Sequence, residues 1–335
     1  MPSRIVLARL AALLAVLLLS ACAGPTASPP TEAGPIPVDL YLAFRPDVQF
    51  APFYVGLGQG FFADRGLEVT LTHQSESDAL RLVGTETAGP GIKAAVVSGE
   101  QVLLARAQEL PVVYVFAWYQ RFPVAIASKA ERGISVPADL AGRSVGVPML
   151  EGASYIGLEA LLASAGLTDA DIDLQATGFT QVETLLADRV DAVVVYAANE
   201  PIQLEAAGEQ VNLIYVADYA NLVSNGLAVN EQVATDQPDV VRALVAALSE
   251  ALQYTIDHPD EAYQLSQVYV EGLDDPDNEP TQREVLARSI ELWRADRLGQ
   301  SDLASWVAMQ EVLLSSGLLD APLEVEGAFN NGFLP

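Results

Sequence analysis

Apolar and polar positions follow two different periodic patterns along the chain, and the change comes near residue 230. Before it, short runs rich in Val and Ile predict strands, and apolar residues three or four apart predict helices between them. The predicted strands span 38–44, 67–72, 92–97, 112–117, 124–128, 144–147, 192–196, 213–217 and 226–229, and the predicted helices span 77–83, 101–107, 155–165, 182–187 and 201–207. Strands separated by helices are typical of βαβ units, so this part is predicted to be α/β with mostly parallel sheets.

After residue 236 the pattern predicts helices only, over 238–258, 259–270, 280–298 and 302–316. Pro238 lies in a first helical turn, where a missing N–H costs nothing, and Asp302 is placed to cap another helix. Val241, Leu244 and Leu248 fall on one helical face. We expect these C-terminal helices to cover the sheets.

Two breaks in the pattern divide the α/β part into two lobes. The segments 121–123 and 224–226 each follow one predicted strand and precede another. We therefore expect lobe 1 to hold 38–121 plus 226–330, and lobe 2 to hold 122–225. Two crossings make a hinge, and the cleft between the lobes is the natural place for a ligand.

The first residues have the composition of a bacterial lipoprotein signal. Arg4 and Arg9 precede an apolar run over 10–19, and small residues follow it up to Cys22. This run is half the ~20 residues that a membrane-spanning helix needs. We expect cleavage after residue 21, lipidation of Cys22 with acyl chains such as palmitate, and anchoring at the cell membrane facing outside. The Pro-, Ser- and Thr-rich stretch 22–37 is predicted to be a flexible linker.

The charge of the chain excludes one class of partner. The formal net charge is −27, and removal of Arg4 and Arg9 with residues 1–21 leaves −29. A field of this sign repels phosphates, so we expect no nucleic acid partner. Cys22 is the only cysteine, which leaves no thiol for a disulfide once it is lipidated.

Residues for the common catalytic and metal sites are scarce. His73 and His258 are the two histidines, and we expect structural or surface roles for both. The segment 152–156 has Ile where a nucleophile elbow needs Gly. The glycine-rich segment 56–61 misses the last Gly of the dinucleotide fingerprint. We therefore predict no catalytic residue, no metal and no cofactor.

Aromatic residues cluster beside the ends of predicted strands. They are Phe50, Phe53, Tyr54, Trp118, Tyr119, Phe122, Tyr155, Tyr196 and Tyr219. Ligands of open parallel sheets bind outside the carboxyl ends of the strands, so these rings converge where a solute would lie. A flat ligand gains ~1–3 kcal/mol from each stacked ring, by analogy with nucleic acid bases. Any single ring is also compatible with a place in the core.

Polar side chains accompany the aromatic residues. Amide and carboxylate groups suit the edges of imide and amide rings, because each can match a donor or an acceptor. For Glu100 and Glu200, capping of a helix remains an equal alternative. Arg45 and Arg121 are the cations in these loops, which disfavours an anionic ligand. The predicted ligand-binding set is Asp47, Gln49, Phe50, Tyr54, Ser98, Gln101, Trp118, Tyr119, Ser154, Tyr155, Tyr196, Asn199 and Glu200.

Several motifs in order resemble a known family. The segments 47–54 (DVQFAPFY), 59–69 (QGFFADRGLEV) and 138–147 (ADLAGRSVGV) are similar to solute-binding proteins of ABC importers, in the thiamine-pyrimidine/alkanesulfonate-type group. Segments 178–183 and 196–201 strengthen the match, which covers about 38–270. The chain most resembles the pyrimidine and riboflavin branch.

The resemblance implies a receptor with a periplasmic-binding-protein-like fold, and we expect the chain to be a monomer. Its two lobes would close on one small molecule and then dock on a membrane permease served by ATPase subunits. Riboflavin is the favoured ligand, because Trp118-Tyr119 and the scarcity of cations suit a broad neutral ring. A thiamine pyrimidine precursor of the formylaminopyrimidine or hydroxymethylpyrimidine kind remains the alternative.

Two other classes remain open at this point. The family also contains enzymes that build the thiamine pyrimidine, marked by a cysteine-rich motif, and a chain whose only cysteine is Cys22 departs from them. A surface enzyme acting on a heterocycle could use Glu100 or Glu200 as general acid–base. A sensor domain could present the ligand to a signalling partner.

Overall fold

Ten strands and eleven α-helices make up the part of the protein that the structure, a computed structural model, describes: residues 34–86 and 89–335. The strands are β1 (Ile36–Leu42), β2 (Leu67–His73), β3 (Ile92–Val97), β4 (Val112–Ala117), β5 (Val124–Lys129), β6 (Ser144–Val147), β7 (Asp173–Ala176), β8 (Ala192–Tyr196), β9 (Val211–Tyr215) and β10 (Gly226–Asn230). The helices are α1 (Ala51–Gly58), α2 (Glu76–Gly84), α3 (Gly99–Ala107), α4 (Gly152–Ser164), α5 (Gln181–Leu186), α6 (Glu200–Ala206), α7 (Glu231–Asp236), α8 (Pro238–Asp257), α9 (Pro259–Ser266), α10 (Glu279–Trp293) and α11 (Leu303–Ser315).

The strands form two five-stranded sheets of the same design. The first has the order β2-β1-β3-β10-β4 and the second the order β7-β6-β8-β5-β9. In each sheet one strand, β10 or β5, runs antiparallel to both neighbours, and the other four share one direction. The reversed strand is the first one that the chain forms after it leaves the other sheet. The chain therefore passes between the sheets twice, over residues 118–123 and 216–225.

Burial explains why most strands were predictable. All residues of β4, β5 and β10 are buried; β4 is a continuous apolar run, and β5 and β10 are apolar except at their last residues. Strand β7 has no buried residue and only two apolar residues, Leu174 and Ala176, in its four positions, so it was not predicted. It lies at the edge of the second sheet, where one neighbour is enough to hold it.

The C-terminal helices cover the sheets, as expected. Val241, Leu244 and Leu248 of α8 are fully buried against α1 and the first sheet. Helix α11 packs against α3, which follows a strand of the first sheet, and against α4, which follows a strand of the second. Its Trp306 belongs to a core cluster that also contains residues of both sheets. The two lobes thus share a continuous apolar core on this side.

The last residues extend the first sheet. The N–H of Tyr114 donates to the carbonyl of Ala328 (2.9 Å), and the N–H of Asn330 donates to the carbonyl of Tyr114 (2.8 Å). Phe329 bridges Tyr114 in parallel orientation. Since β4 is the outermost strand of the sheet, this segment covers an edge that would otherwise carry unpaired backbone groups.

Several predicted boundaries need correction. Strand β1 begins at Ile36, so the last residues of the predicted linker 22–37 belong to the first sheet, where Ile36 and Pro37 pair with β2. Strand β9 ends at Tyr215, because residues 216–218 form a 3₁₀ turn instead of continuing to 217. The predicted signal peptide, Cys22 and residues 22–33 of the linker lie outside the described residues.

Among the residues that the structure describes, no helix has both the length and the apolar character needed to cross a membrane.

Gly226 is the first residue of β10, and a substitution there tests how tightly this strand is packed. A Cβ atom there would lie 2.1 Å from the Tyr114 hydroxyl and 2.2 Å from the Phe116 carbonyl oxygen. We expect Gly226→Ala to lower the free energy of unfolding by about 2–3 kcal/mol, measured by urea titration. Gly208→Ala is the control: φ is +91° but the space is open, so about 1 kcal/mol is expected. Equal losses in the two variants would contradict the tight packing.

Candidate functional site

A cleft of about 550 Å³ lies between the two sheets. Its walls come from the segments that follow the carboxyl ends of strands in both lobes, which is where ligands of open α/β sheets bind. The lining residues are Ala43, Phe44, Arg45, Gln49, Phe50, Gln74, Ser75, Glu76, Ser77, Val96, Gln101, Trp118, Tyr119, Pro148, Met149, Glu151, Gly152, Ala153, Ser154, Phe179, Gln181, Tyr196, Asn199, Glu200 and Asn225. The volume falls within the range of about 300–1,000 Å³ that is typical of sites for small organic ligands.

Amide side chains join the two lobes at one wall of the cleft. Asn199 Nδ2 donates to Gln49 Oε1 (3.1 Å), and Gln49 Nε2 donates to the Tyr119 hydroxyl (3.1 Å). Gln49 lies in a 3₁₀ turn that follows β1, and its N–H is fixed by the Asp47 carboxylate (2.9 Å). These groups are nearly buried, so each hydrogen bond between them avoids the cost of an unpaired polar atom. The chain Tyr119–Gln49–Asn199 thereby fixes the spacing of the two walls.

Two phenylalanines from different lobes meet at the cleft. The ring centroids of Phe44, after β1, and Phe179, after β7, are 5.0 Å apart. Phe44 has φ of 63°, in the left-handed region that bulky residues rarely adopt. Backbone strain of this kind clusters at ligand sites, where the surroundings enforce it. Phe179 is 53% exposed, so its ring has a free face toward the cleft.

The Trp118 ring is mostly a core group. It is 3% exposed, and its ring centroid lies 5.2 Å from that of Phe50, 5.1 Å from Phe53, 4.7 Å from Tyr119 and 5.9 Å from Trp293. This aromatic cluster supports the wall of the cleft from behind. Only a small part of the Trp118 surface is left to contact a ligand.

Carboxyl groups outnumber cations in the wall. Glu76, Glu151 and Glu200 line the cleft, and Arg45 is the one cation among the described lining residues. Glu200 accepts a hydrogen bond from the N–H of Tyr196 (2.9 Å), and burial raises the pKa of its carboxyl to about 7. Burial, and then the neighbouring Glu76, raise the pKa of Glu100 to about 8.

The structure brings most of the predicted set to the cleft. Gln49, Phe50, Gln101, Trp118, Tyr119, Ser154, Tyr196, Asn199 and Glu200 are all lining residues. Their contact with a ligand stays a prediction.

Four predicted residues do not line the cleft. Asp47 caps the 3₁₀ turn behind the wall, and the Tyr54 ring stacks on Tyr269 with centroids 4.6 Å apart. Ser98 is fully buried beneath Glu76, which covers it from the cleft side. Tyr155 lies one residue beyond the lining turn of α4. These residues lie near the site because they follow the ends of strands. Their position in the sequence does not determine the direction in which their side chains point.

The sequence reasoning missed Phe44, Arg45, Glu76 and Phe179 as site residues. Phe44 was placed inside the predicted strand 38–44, although the strand ends at Leu42. Phe179 follows β7, the short strand that was not predicted. Glu76 follows Ser75, a capping residue, and its position just after a strand was the one signal that pointed to the site.

A family model described as NMT1/THI5 like matches residues 47–262. The chain belongs to this family. It is 37% identical to the riboflavin-binding protein RibY of Chloroflexus aurantiacus over 339 residues, covering 96% of each chain. It is 28% identical to a formylaminopyrimidine-binding protein of Halalkalibacterium halodurans, covering 95% of this chain and 96% of the relative.

Membership in the NMT1/THI5-like family agrees with the fold. The structure of the periplasmic aliphatic sulphonate binding protein SsuA from Escherichia coli superposes with a TM-score of 0.71 at 13% identity, over 88% of this chain and 92% of that one. At this identity the likeness concerns the fold alone. It confirms the predicted α/β, two-lobed periplasmic-binding-protein-like architecture, and the family match confirms the resemblance seen in the motifs.

The raised pKa values of Glu100 and Glu200 predict how stability depends on pH. Both carboxyls keep a proton in the folded protein at pH values where the unfolded chain, with an ordinary value of 4.5, has released it. Their contribution is therefore present at pH 4.5 and below and is lost as pH rises through about 7 and 8. We expect the urea unfolding free energy to fall between pH 5 and pH 9, and Glu100→Gln to flatten the decline.

The matched control for this profile is Asp78→Asn. Hydrogen bonds from Ser75 and Arg81 lower the pKa of Asp78, so it is ionised in both states throughout the window. The control should keep the wild-type slope. A Glu100→Gln profile with the same slope as the wild type would show that Glu100 is ionised in the folded protein.

Proposed function

We propose that the protein is a receptor that captures riboflavin in the cleft and delivers it to the permease and ATPase subunits of an ABC importer. The single strongest support is the identity of 37% to the riboflavin-binding protein RibY over 96% of both chains. In this proposal Cys22 carries the lipid that holds the receptor at the outer face of the cell membrane. The chain works as a monomer, and the flavin is cargo that leaves unchanged.

The cleft suits a broad, neutral ring system. Phe44, Phe179 and Tyr196 offer aromatic surface in its wall. Gln101 and Asn225 offer amide groups that can match the alternating donors and acceptors on the imide edge of an isoalloxazine. Three glutamates and one arginine line the cleft, so the wall favours a neutral molecule over an anion.

A thiamine pyrimidine precursor is the second candidate ligand. The identity of 28% to a formylaminopyrimidine-binding protein favours it over the sulfonates. A single pyrimidine ring would cover less of the lining than three fused rings, which is why riboflavin is preferred. Mass spectrometry of the ligand released from protein made in rich medium distinguishes the two.

A receptor is favoured over an enzyme. Cys22 is the only cysteine, so the cysteine-rich motif that the resemblance associates with pyrimidine synthesis is not present. Glu200 stands in the cleft as a single candidate acid–base, hydrogen-bonded to the backbone of Tyr196. A receptor returns its ligand intact, whereas an enzyme converts it. An importer receptor is required for riboflavin uptake, whereas a surface enzyme or a sensor is not. Loss of labelled riboflavin uptake on deletion of the gene therefore supports the importer role.

Titration of riboflavin with the purified protein tests the ligand directly. Stacking on Phe179 and Tyr196 should quench flavin fluorescence, with saturation at one flavin per chain. Unchanged fluorescence at micromolar protein, together with no heat in calorimetry, would remove riboflavin and leave the pyrimidine.

Phe179→Ala should weaken riboflavin binding without affecting the fold. One stacked ring contributes ~1–3 kcal/mol, which corresponds to roughly tenfold or more in Kd. Tyr219→Ala is the control, because Tyr219 is an exposed aromatic residue (44%) of the same lobe that does not line the cleft. Equal Kd values for the Phe179 variant and the wild type would place the flavin elsewhere.

Trp118→Ala should reduce stability as well as affinity. Removing a ring that contacts Phe50, Phe53, Tyr119 and Trp293 leaves a cavity and should cost about 3–5 kcal/mol of unfolding free energy. Urea titration measures the loss, and riboflavin titration below the transition measures the affinity. A folded variant of normal stability that fails to bind would instead make Trp118 a direct ligand contact.

A further inference from the structure

Ser98 lies between two glutamates beneath the wall of the cleft. Its hydroxyl contacts Glu76 Oε2 (2.5 Å), at the start of α2, and also Glu100 Oε1, in the first turn of α3. Its N–H donates to the same oxygen of Glu76 (3.1 Å). Two carboxyl groups from different helices therefore share one serine.

The number of protons in this group follows from its geometry. A serine hydroxyl carries one hydrogen, so it can donate to only one of the two carboxyl oxygens that it contacts. The other contact needs a proton on a carboxyl group, which then donates to the serine oxygen. If both glutamates were ionised, one contact would set two oxygen atoms against each other in a buried site.

The surroundings place that proton on Glu100. The Glu100 residue is 0% exposed, and its Oε2 is buried with no hydrogen-bond partner in the described structure. An ionised carboxylate in such a place would be very costly. Glu76 is half-buried and accepts two hydrogen bonds from Ser98 through Oε2. Its Oε1 makes no hydrogen bond within the described residues and belongs to a lining residue of the cleft.

We infer that Glu76, Ser98 and Glu100 form a relay holding one proton on Glu100, which fixes a negative charge on Glu76 and makes Glu76 a specificity-determining residue. The Glu76 carboxylate accepts a hydrogen bond from a hydroxyl or imide N–H of the neutral vitamin and repels its phosphate ester. This inference rests on the proposed function. It adds one point to the proposed function: the cleft accepts the neutral vitamin and excludes its phosphate ester.

The other charged and titratable groups near Glu76 strengthen the discrimination. Glu100 lies behind it, and Glu151 and Tyr196 of the second lobe are near enough to act on its charge. Burial raises the pKa of Glu76, and the two hydrogen bonds from Ser98 lower it. Glu200 adds a carboxyl with a pKa of about 7, and Arg45 is the one cation among the described lining residues. A phosphate monoester entering this wall meets more negative than positive charge. Repulsion between like charges in a partly buried site is screened less by solvent than at an exposed surface.

Riboflavin and riboflavin 5′-phosphate, titrated by fluorescence quenching at pH 7.5, test the inference. We expect the wild type to bind riboflavin at least about tenfold more tightly than the phosphate ester. Glu76→Gln keeps the shape and the acceptor for Ser98 but removes the charge. It should weaken riboflavin binding roughly tenfold, as expected for a lost charged hydrogen bond, and bring the two Kd values together.

Asp78→Asn is the matched control, because it removes one charge from the same turn of α2 at a residue that does not line the cleft. It should keep the wild-type ratio of the two Kd values. A Glu76→Gln variant with that same ratio would overturn the role of Glu76. A wild type that binds riboflavin and its phosphate equally would do so as well.

Infrared spectroscopy without ligand separates this inference from the proposed function. The difference spectrum of wild type minus Glu100→Gln at pH 7 should contain the C=O band of a protonated carboxyl. Its absence would overturn the relay, whichever ligand binds. If the band is present but the wild type binds no riboflavin, the proposed function and the flavin specificity fail and the relay stands.

Discussion

In each sheet of this protein, one internal strand is formed by the chain directly after it leaves the other sheet. Strands β5 and β10 are the reversed strands of their sheets, and each is hydrogen-bonded on both sides. The two segments that lead to them therefore cannot move independently of the sheets. This constraint fixes where the lobes face each other, and it places the carboxyl ends of the remaining strands around one cleft.

Within that frame, the cleft combines a rigid support with a few groups that face its open space. The Trp118 cluster and the Gln49–Asn199 hydrogen bond belong to the support, because they are nearly buried. Phe179 and Glu76 are more exposed and offer free surface to a ligand. Preorganisation of this kind lowers the entropy that binding must offset.

The fold was more predictable from the sequence than the site. Strands 92–97, 112–117 and 192–196 were predicted to the residue, because strands that are buried at nearly every position consist mainly of apolar residues. Strand β7 is only four residues long and has no buried residue, and the alternation of Leu174 and Ala176 with polar residues is too short to indicate a strand.

For the site, the strand-end rule located Tyr196, Asn199 and Gln49 because it depends only on the order of elements along the chain. The direction of a side chain depends on contacts between distant segments. Trp118 is covered by Trp293, which lies far along the chain, and Phe44 meets Phe179 from the other lobe. Single-sequence patterns contain no information on such contacts.

The short parallel pairing of the final segment with β4 has a consequence for behaviour at high local concentration. A protein at high local concentration meets copies of itself often, and a bare outer strand would offer each copy a template for intermolecular β-pairing. Because Ala328 and Asn330 occupy the free backbone groups of Tyr114, that template is already taken within the chain. The tail thus leaves less of this strand open to pairing with another copy.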